Sequence, residues 1–261
     1  VVSPAVSHQR HALASRRLML HEGGLTARAH PWPGEPEVAQ LILFDAAAVP
    51  GPRHLAGWRR QLAELGFHTV RTGALAPRQA TQAEAAGLRC IQELVLLEAR
   101  PPLAEPASTL RTRRLRALQF GEAERIDRAA FGDPWWLDAS MLAEVRSATP
   151  SFRARAVHVR QVAARAPEAP GPLAGFLISG RAGRNGYVQR LAVDPAAQRQ
   201  GVAAALLADS LGWMRRWRAE RVLVNTHVEN QAALALYRSH GFVDLPERLR
   251  VFEGPTEPAP R

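Results

Sequence analysis

GYVQRLAVDPAAQRQGVAAALLA, residues 186–208, decides how the rest of the chain is read. Tyr187 to Val193 is a short apolar run of strand length, and Asp194-Pro195 predicts a turn after it. Gln198-Arg199-Gln200-Gly201-Val202-Ala203 then runs without a break into an Ala- and Leu-rich stretch that predicts a helix to about Trp217. A glycine-bearing loop at the point where a strand hands over to a helix leaves backbone N–H groups unpaired at the positive end of the helix dipole. Such a place is a seat for an anion, and phosphate is its commonest occupant.

A second pattern follows downstream. Asn230-Gln231-Ala232-Ala233-Leu234-Ala235-Leu236-Tyr237-Arg238-Ser239-His240-Gly241-Phe242 predicts a helix with Asn230 and Tyr237 on one face, at i and i+7. The two stretches resemble motifs of the GNAT superfamily of N-acetyltransferases. The first has the form Gln/Arg-x-x-Gly-x-Gly/Ala after a strand ending Leu-x-Val-x-Pro, as in that family's acyl-CoA pyrophosphate loop. The second matches Asn-x-x-Ala-x-x-x-Tyr-x-x-x-Gly-Phe at each fixed position. The fold this resemblance implies is α/β (α+β), a mixed and mostly antiparallel central sheet flanked by helices.

By the same resemblance, backbone N–H groups of Gln198, Arg199, Gln200, Gly201, Val202, Ala203 and Ala204 would hold the pyrophosphate of acetyl-CoA, the cosubstrate. Gly201 is expected there because a side chain would block close approach. Leu191, Ala192 and Val193 would pair with the pantetheine arm, with the Val193 N–H aimed at the thioester carbonyl. Asn230 would contact the arm, and Tyr237 would protonate the departing thiolate. Gln189 stands where many members carry Glu, and an amide cannot take a proton from an ammonium. A water chain, Glu229, His227 or bulk solvent are the remaining routes. Trp135, Trp136 and Asp138 lie where the family borders its acceptor cleft, and the same tryptophans can equally be core packing.

Composition narrows the setting. The chain has 261 residues, 46% of them hydrophobic, enough for one large or two small cores. No run reaches the roughly 18 apolar residues of a membrane helix, and no apolar segment follows the first basic residues. One cysteine, Cys90, cannot form an internal disulfide. Together these predict a soluble, cytoplasmic protein with no membrane partner. The net charge is +10, and all 34 basic residues are arginine. They are spread along the chain without a repeated basic–aromatic pattern, which argues against nucleic acid as a partner. His8 and His11 have no carboxylate or thiol to complete a metal set, so no metal is expected.

The chain divides at a proline-rich stretch, residues 99–108, read as a linker. Ahead of it, after a loose tail at 1–15, Leu18–Leu20, Leu25–Ala29 and Val38–Phe44 predict strands. His54–Leu65 predicts a helix, Phe67–Thr72 a strand, Arg78–Ala86 a helix and Leu88–Leu97 a strand. This order parallels the second half: Gly57-Trp58-Arg59-Arg60 sets against Gly212-Trp213-Met214-Arg215, and Gly87-Leu88 against Gly241-Phe242. An internal duplication follows, with residues 16–98 as a smaller, degenerate GNAT-like copy. It lacks the glycine loop, and Ala83 or Glu84 stands where Tyr would be, so no cofactor is expected there. The tandem plan is similar to that of mycothiol synthase.

Residues 109–253 predict the complete domain. Strands are expected at Leu110–Leu118, Phe152–Val162, Leu173–Ser179 and Arg221–Thr226, and closing strands at Phe242–Phe252. Helices are expected at Glu122–Ala130 and Leu137–Arg146, and Gly254–Arg261 as an unfolded tail. The expected activity is transfer of an acetyl group from acetyl-CoA to a primary amine of a small molecule or protein, by a monomer or homodimer. The alternative is a non-catalytic acyl-CoA-binding or sensing protein.

Overall fold

The computed structural model describes residues 18–43, 45, 47–103, 110–158 and 171–256. Two compact units divide it: Val1–Val95 with Pro246–Arg261, and Leu96–Leu245.

In the first unit, β1 (Leu18–Glu22), β2 (Leu25–Trp32) and β3 (Glu35–Leu43) form an antiparallel meander. Gly23 and Gly24, at φ 51° and 81°, make the first tight turn, a conformation side chains with a Cβ rarely adopt. The chain then crosses through α1 (Pro52–Glu64) to β4 (Thr69–Thr72), which lies parallel to β3 from Val38–Thr69 to Leu41–Thr72. α2 (Pro77–Ala85) and β5 (Arg89–Ala99) follow. Leu55, Trp58 and Leu62 recur at helical spacing on α1 and are buried in a core with Ala27, Ala29, Ala39 and Val70, small residues that leave room for the indole. Each such large side chain taken from water contributes roughly 1.5–3 kcal/mol.

The last strand, β11 (Val243–Pro255), carries the C-terminal segment into this unit. It runs antiparallel to β4, pairing Glu253 with Arg71, Gly254 with Val70 and Pro255 with Thr69. Phe252 is fully buried in the same core, and its N–H donates to Thr72 Oγ1 at 2.9 Å. This corrects two expectations. The closing strands expected at Phe242–Phe252 are one strand whose end pairs with β4, and Gly254 and Pro255 are strand residues rather than tail. Thr256 is held too, its hydroxyl donating to Phe67 O at 2.6 Å.

In the second unit the strands lie in the order β6 (Arg113–Arg114), β7 (Ser151–His158), β8 (Leu173–Ala182), β9 (Asn185–Val193), β10 (Arg221–His227). Pairing is antiparallel from β6 to β9 and parallel between β9 and β10. α3 (Phe120–Phe131) and α4 (Ala139–Ser147) precede β7. They bury Phe120, Ile126 and Leu142 against Ala154, Phe176, Ile178 and Ala192 on one face of the sheet. α5 (Val202–Arg216), between β9 and β10, packs on the other face, where Ser210 Oγ meets Ser179 Oγ at 2.8 Å, both fully buried. α6 (Gln231–Ser239) follows β10.

The strand expected at Leu110–Leu118 shrinks to Arg113–Arg114. Gln119 Oε1 accepts from the Arg116 N–H at 3.0 Å and turns the chain into the start of α3, leaving Leu118 84% exposed. The expected strand at Phe152–Val162 is seen to His158, its last residues lying outside the described ones, as do His8, His11 and residues 104–108 of the proline-rich stretch. Among the described residues, no helix is long and apolar enough to cross a membrane, and no group of three or more His, Cys, Asp or Glu could hold a metal ion.

Candidate functional site

β9 is organised by what happens on its two edges. Toward β8 it is paired along its length, except at Gln189. The register steps from Ile178–Arg190 to Ser179–Val188 and leaves Gln189 as the extra residue of a β-bulge. Toward β10 the pairing runs from Asn185–Arg221 to Tyr187–Leu223 and stops. Beyond that point β9 has no paired residue on β10, and its edge from Val188 onward is without a strand partner on that side among the described residues.

Backbone alternation says which groups point to that side. The Asp194 N–H donates to Ala174 O at 2.8 Å, on the β8 side. Neighbouring amides of a strand point to opposite edges, so the N–H and C=O of Val193 and of Leu191 project toward the β10 side. Ala192 faces β8, its carbonyl beside Gly175 and its side chain in the core. Of the three residues expected along a pantetheine arm, Leu191 and Val193 therefore offer edge groups and Ala192 does not.

At the end of β9, Asp194 closes the turn, its carboxylate accepting from the Ala196 N–H at 3.0 Å and from Arg125 Nη1 at 2.9 Å. The Ala196 hydrogen bond leads in holding the Asp194 carboxyl below its ordinary range. The loop Gln198 to Gly201 is exposed and passes through two left-handed residues, Arg199 at φ 62° and Gly201 at φ 80°. Gly201 is the N-cap of α5. A Cβ there meets only Leu110 Cδ1, at 3.9 Å, so the glycine answers to its backbone angle more than to crowding. The first N–H groups of α5, from Gly201 to Ala204, have no acceptor within the helix, and the first turn carries no acidic residue. Gly175 lets this helix start lie close to the sheet: a Cβ on it would fall 2.9 Å from Val202 Cγ1 and 2.8 Å from Ala192 O.

Asn230 and Tyr237 sit on α6, and the helix itself explains part of their pattern. Asn230 is the N-cap, its Oδ1 accepting from the Ala233 N–H at 3.1 Å, which leaves Nδ2 as the group able to face a ligand. At the other end Gly241 takes φ 84°, the Phe242 N–H donates to Tyr237 O at 3.1 Å, and the Phe242 ring packs on Tyr237 with centroids 5.6 Å apart. Tyr237 is buried, 5% exposed, and burial pushes its phenol well above the ordinary tyrosine value, the Arg190 charge offsetting part of the rise. A phenol so held stays protonated at neutral pH.

Arg190 belongs to a buried ion pair that sequence reasoning missed. Its Nε donates to Asp127 Oδ2 at 2.7 Å and its Nη2 to Asp127 Oδ1 at 2.5 Å. Nη2 also reaches Trp135 O at 2.9 Å, and the guanidinium lies 3.4 Å from the Phe131 ring centroid. Asp127 is fully buried. The signal was a carboxylate at i+4 from Ala123, on the apolar face of α3.

Two of the remaining candidates are tied into the local fold. Asp138 caps α4 by accepting from the Met141 N–H at 2.8 Å. Trp136 is buried, donating to Asp133 Oδ1 at 2.8 Å under the Arg128 guanidinium. His227 Nδ1 accepts from the Glu229 N–H at 3.2 Å in the turn before α6, and the Glu229 side chain is 86% exposed. Gln189 holds a buried Oε1 with no hydrogen-bond partner among the described residues.

Comparison with known proteins extends this geometry. Residues 150–242 match the family described as the acetyltransferase (GNAT) family. Over 67 residues, 26% of this chain, the sequence is 33% identical to N-alpha-acetyltransferase 30 of Saccharomyces cerevisiae, and the match spans 38% of that relative's length. Among solved structures it is similar to a tandem GNAT protein from the clavulanic acid biosynthesis pathway, with TM-score 0.62 and 16% identity over 92% of this chain and 82% of that one. A GCN5-related N-acetyltransferase from Kribbella flavida gives 0.58 at 15% identity, covering 95% and 93% of the two chains. One from Sphaerobacter thermophilus gives 0.55 at 16%, covering 90% and 80%. At such identities the likeness is one of fold.

Proposed function

The chain carries a GNAT acetyltransferase domain, and from that premise we propose that it transfers an acetyl group from acetyl-CoA to a primary amine of a small molecule or a protein, by direct attack of the amine on the thioester. The carrying observation is the end of β9–β10 pairing at Tyr187–Leu223, which leaves the Leu191 and Val193 backbone groups without a paired strand on the β10 side. The pyrophosphate lies on the N–H groups from Gly201 to Ala204, where the dipole of α5 favours negative charge. The pantetheine arm pairs with Leu191 and Val193 as an added strand would. The Val193 N–H donates to the thioester oxygen as it gains charge, a preorganised donor worth roughly 3 kcal/mol in such sites.

The amine nitrogen bonds to the carbonyl carbon, the C–S bond breaks, and the sulfur leaves with its electron pair. Tyr237 gives that sulfur its proton as the C–S bond breaks and takes one back from solvent when the products leave, which restores the buried neutral phenol. The amine's own excess proton leaves to solvent, since the amide of Gln189 cannot take it. A reducing, cytoplasmic setting belongs to the same reading.

A second reading, a protein that binds acyl-CoA without turnover, is favoured by Gln189 alone. A thiol-release assay against small amines and peptides with free N-termini separates the two. Turnover that falls roughly ten- to a thousandfold in Tyr237→Phe, with acetyl-CoA affinity unchanged, supports the enzyme. Acetyl-CoA binding with no thiol release from any acceptor supports the sensor.

A further inference from the structure

At the edge of the second unit's sheet away from β10, where β6 pairs with β7, a cleft of about 610 Å3 is lined by Arg114, Arg116, Arg146, Arg153 and Arg155 around Phe152. The β10-side edge of β9 described above lies across the sheet, on the far side of β8. Arg153 and Arg155 point to the α5 face of β7, where Asp209 takes Arg153 Nε at 2.6 Å and Arg155 Nε at 3.3 Å and Thr112 Oγ1 accepts from Arg155 Nη2 at 2.9 Å. Phe152 and Arg146 stand on the opposite face, so the cleft straddles the edge of the strand. Arg114 and Arg116 are exposed. Arg146 lies 5.0 Å from the Phe120 ring centroid and 5.4 Å from that of Phe152, and its buried Nε has no hydrogen-bond partner among the described residues. A buried N–H without an acceptor is a costly group to leave in place.

The backbone adds polar groups to the same cleft. Pairing along this edge runs from Arg113–Ala156 to the Leu115 N–H on Ala154 O at 3.1 Å, and the chain then turns away into α3. By alternation, the N–H and C=O of Phe152 point out of the same edge. The Phe152 ring is 44% exposed, an apolar and planar surface beside the cations.

We propose that this cleft is a binding site for a small polyanion, a polycarboxylate or a phosphate ester, whose planar or apolar part rests on Phe152. Guanidinium forks match carboxylate and phosphate oxygens two at a time. The volume falls in the range of small-molecule sites, roughly 300–1,000 Å3. A second copy of the same edge is an unfit occupant, because it would set arginine against arginine. The site is independent of the acetyl-transfer reading.

Titration calorimetry at constant ionic strength tests it, with citrate on the full chain and, because the start of α5 is itself proposed to seat a pyrophosphate, with inorganic pyrophosphate on the full-length Gly201→Glu chain. Saturable one-to-one binding of at least one of them is expected, weakened about tenfold or more in Arg114→Glu/Arg116→Glu. Arg116→Gln, which removes one charge from an exposed position, should give a smaller loss in the same direction. Gly201→Glu, which spoils the start of α5, and Arg78→Glu, an exposed charge of the first unit, should leave citrate binding unchanged. Citrate alone binding assigns a carboxylate ligand; pyrophosphate alone assigns a phosphate. The proposal is overturned by no saturable binding of either, by equal binding when Arg114→Glu/Arg116→Glu is added, by loss of citrate binding in Gly201→Glu, or by displacement only with a long oligonucleotide.

Discussion

Two crossovers of the same plan, one in each unit, end in different local chemistry. β3–α1–β4 and β9–α5–β10 each follow an antiparallel pair of strands, cross through a helix and return parallel. In the first, the strands stay paired to the end of β4, and the Gly73 N–H still donates to Leu41 O at 2.9 Å. Its helix start is closed as well: Pro52 has no N–H to offer, and the Gly51 N–H donates to His54 Nδ1 at 3.2 Å. In the second, the pairing ends after three pairs and the helix begins at a left-handed glycine with its first N–H groups unclaimed by the helix. The difference teaches that one strand–helix–strand plan can close its strand edge and helix start, as in the first unit, or leave the pairing short and the helix start unclaimed, as in the second.

The largest expected effect comes from closing the open start. Gly201→Glu forces a Cβ into φ 80° and sets a carboxylate where phosphate should sit, so acetyl-CoA affinity should fall by about a hundredfold or more. The matching change in the other crossover, Gly51→Glu, should leave it untouched. Calorimetry on both variants sharpens the contrast, and equal losses would erase it.

Buried charge distinguishes the units next. Asp127→Ala strands Arg190 in the interior and should lower unfolding free energy by about 3–5 kcal/mol, read by urea denaturation. Asp127→Leu with Arg190→Met should recover most of that loss. In the first unit, Glu253→Gln should cost less, about 1–3 kcal/mol. Glu253 is 20% exposed, and Arg71 keeps its contact with Glu35 at 3.0 Å.

How much of this could be read from residues alone follows the range of the interactions. The loop at Gln198–Gly201 and the end of α6 are local: a left-handed glycine, an N-cap Asn and a Gly-Phe close are written in adjacent letters. Asp127–Arg190 joins a helix to a strand 63 positions away, and only the odd carboxylate on the apolar face of α3 hinted at it. The pairing of Pro255 with Thr69 was hidden by composition, because a proline- and charge-rich end can still form a strand once a partner edge is offered. The bulge at Gln189 was equally hidden, since register belongs to two strands together.

The smallest effect is one of pH. Burial works to raise the Asp209 carboxyl, but hydrogen bonds from Arg153 and Thr112 and the charges of Arg153 and Arg155 outweigh it and hold its pKa below the ordinary value. A carboxyl lowered on folding stabilises fully above its unfolded pKa, roughly 3.9, and this is lost as pH falls through the folded value. Melting temperature should therefore drop less between neutral and strongly acid pH in Asp209→Asn than in the wild type. An identical drop would leave Asp209 without a share in the acid response.

The most direct test of the account is the stoichiometry of acetyl-CoA binding to the whole chain by titration calorimetry. It predicts one site per chain, with a dissociation constant on the order of micromolar, present in Gly51→Glu and absent in Gly201→Glu. Two sites per chain, or one site that survives Gly201→Glu, would contradict it.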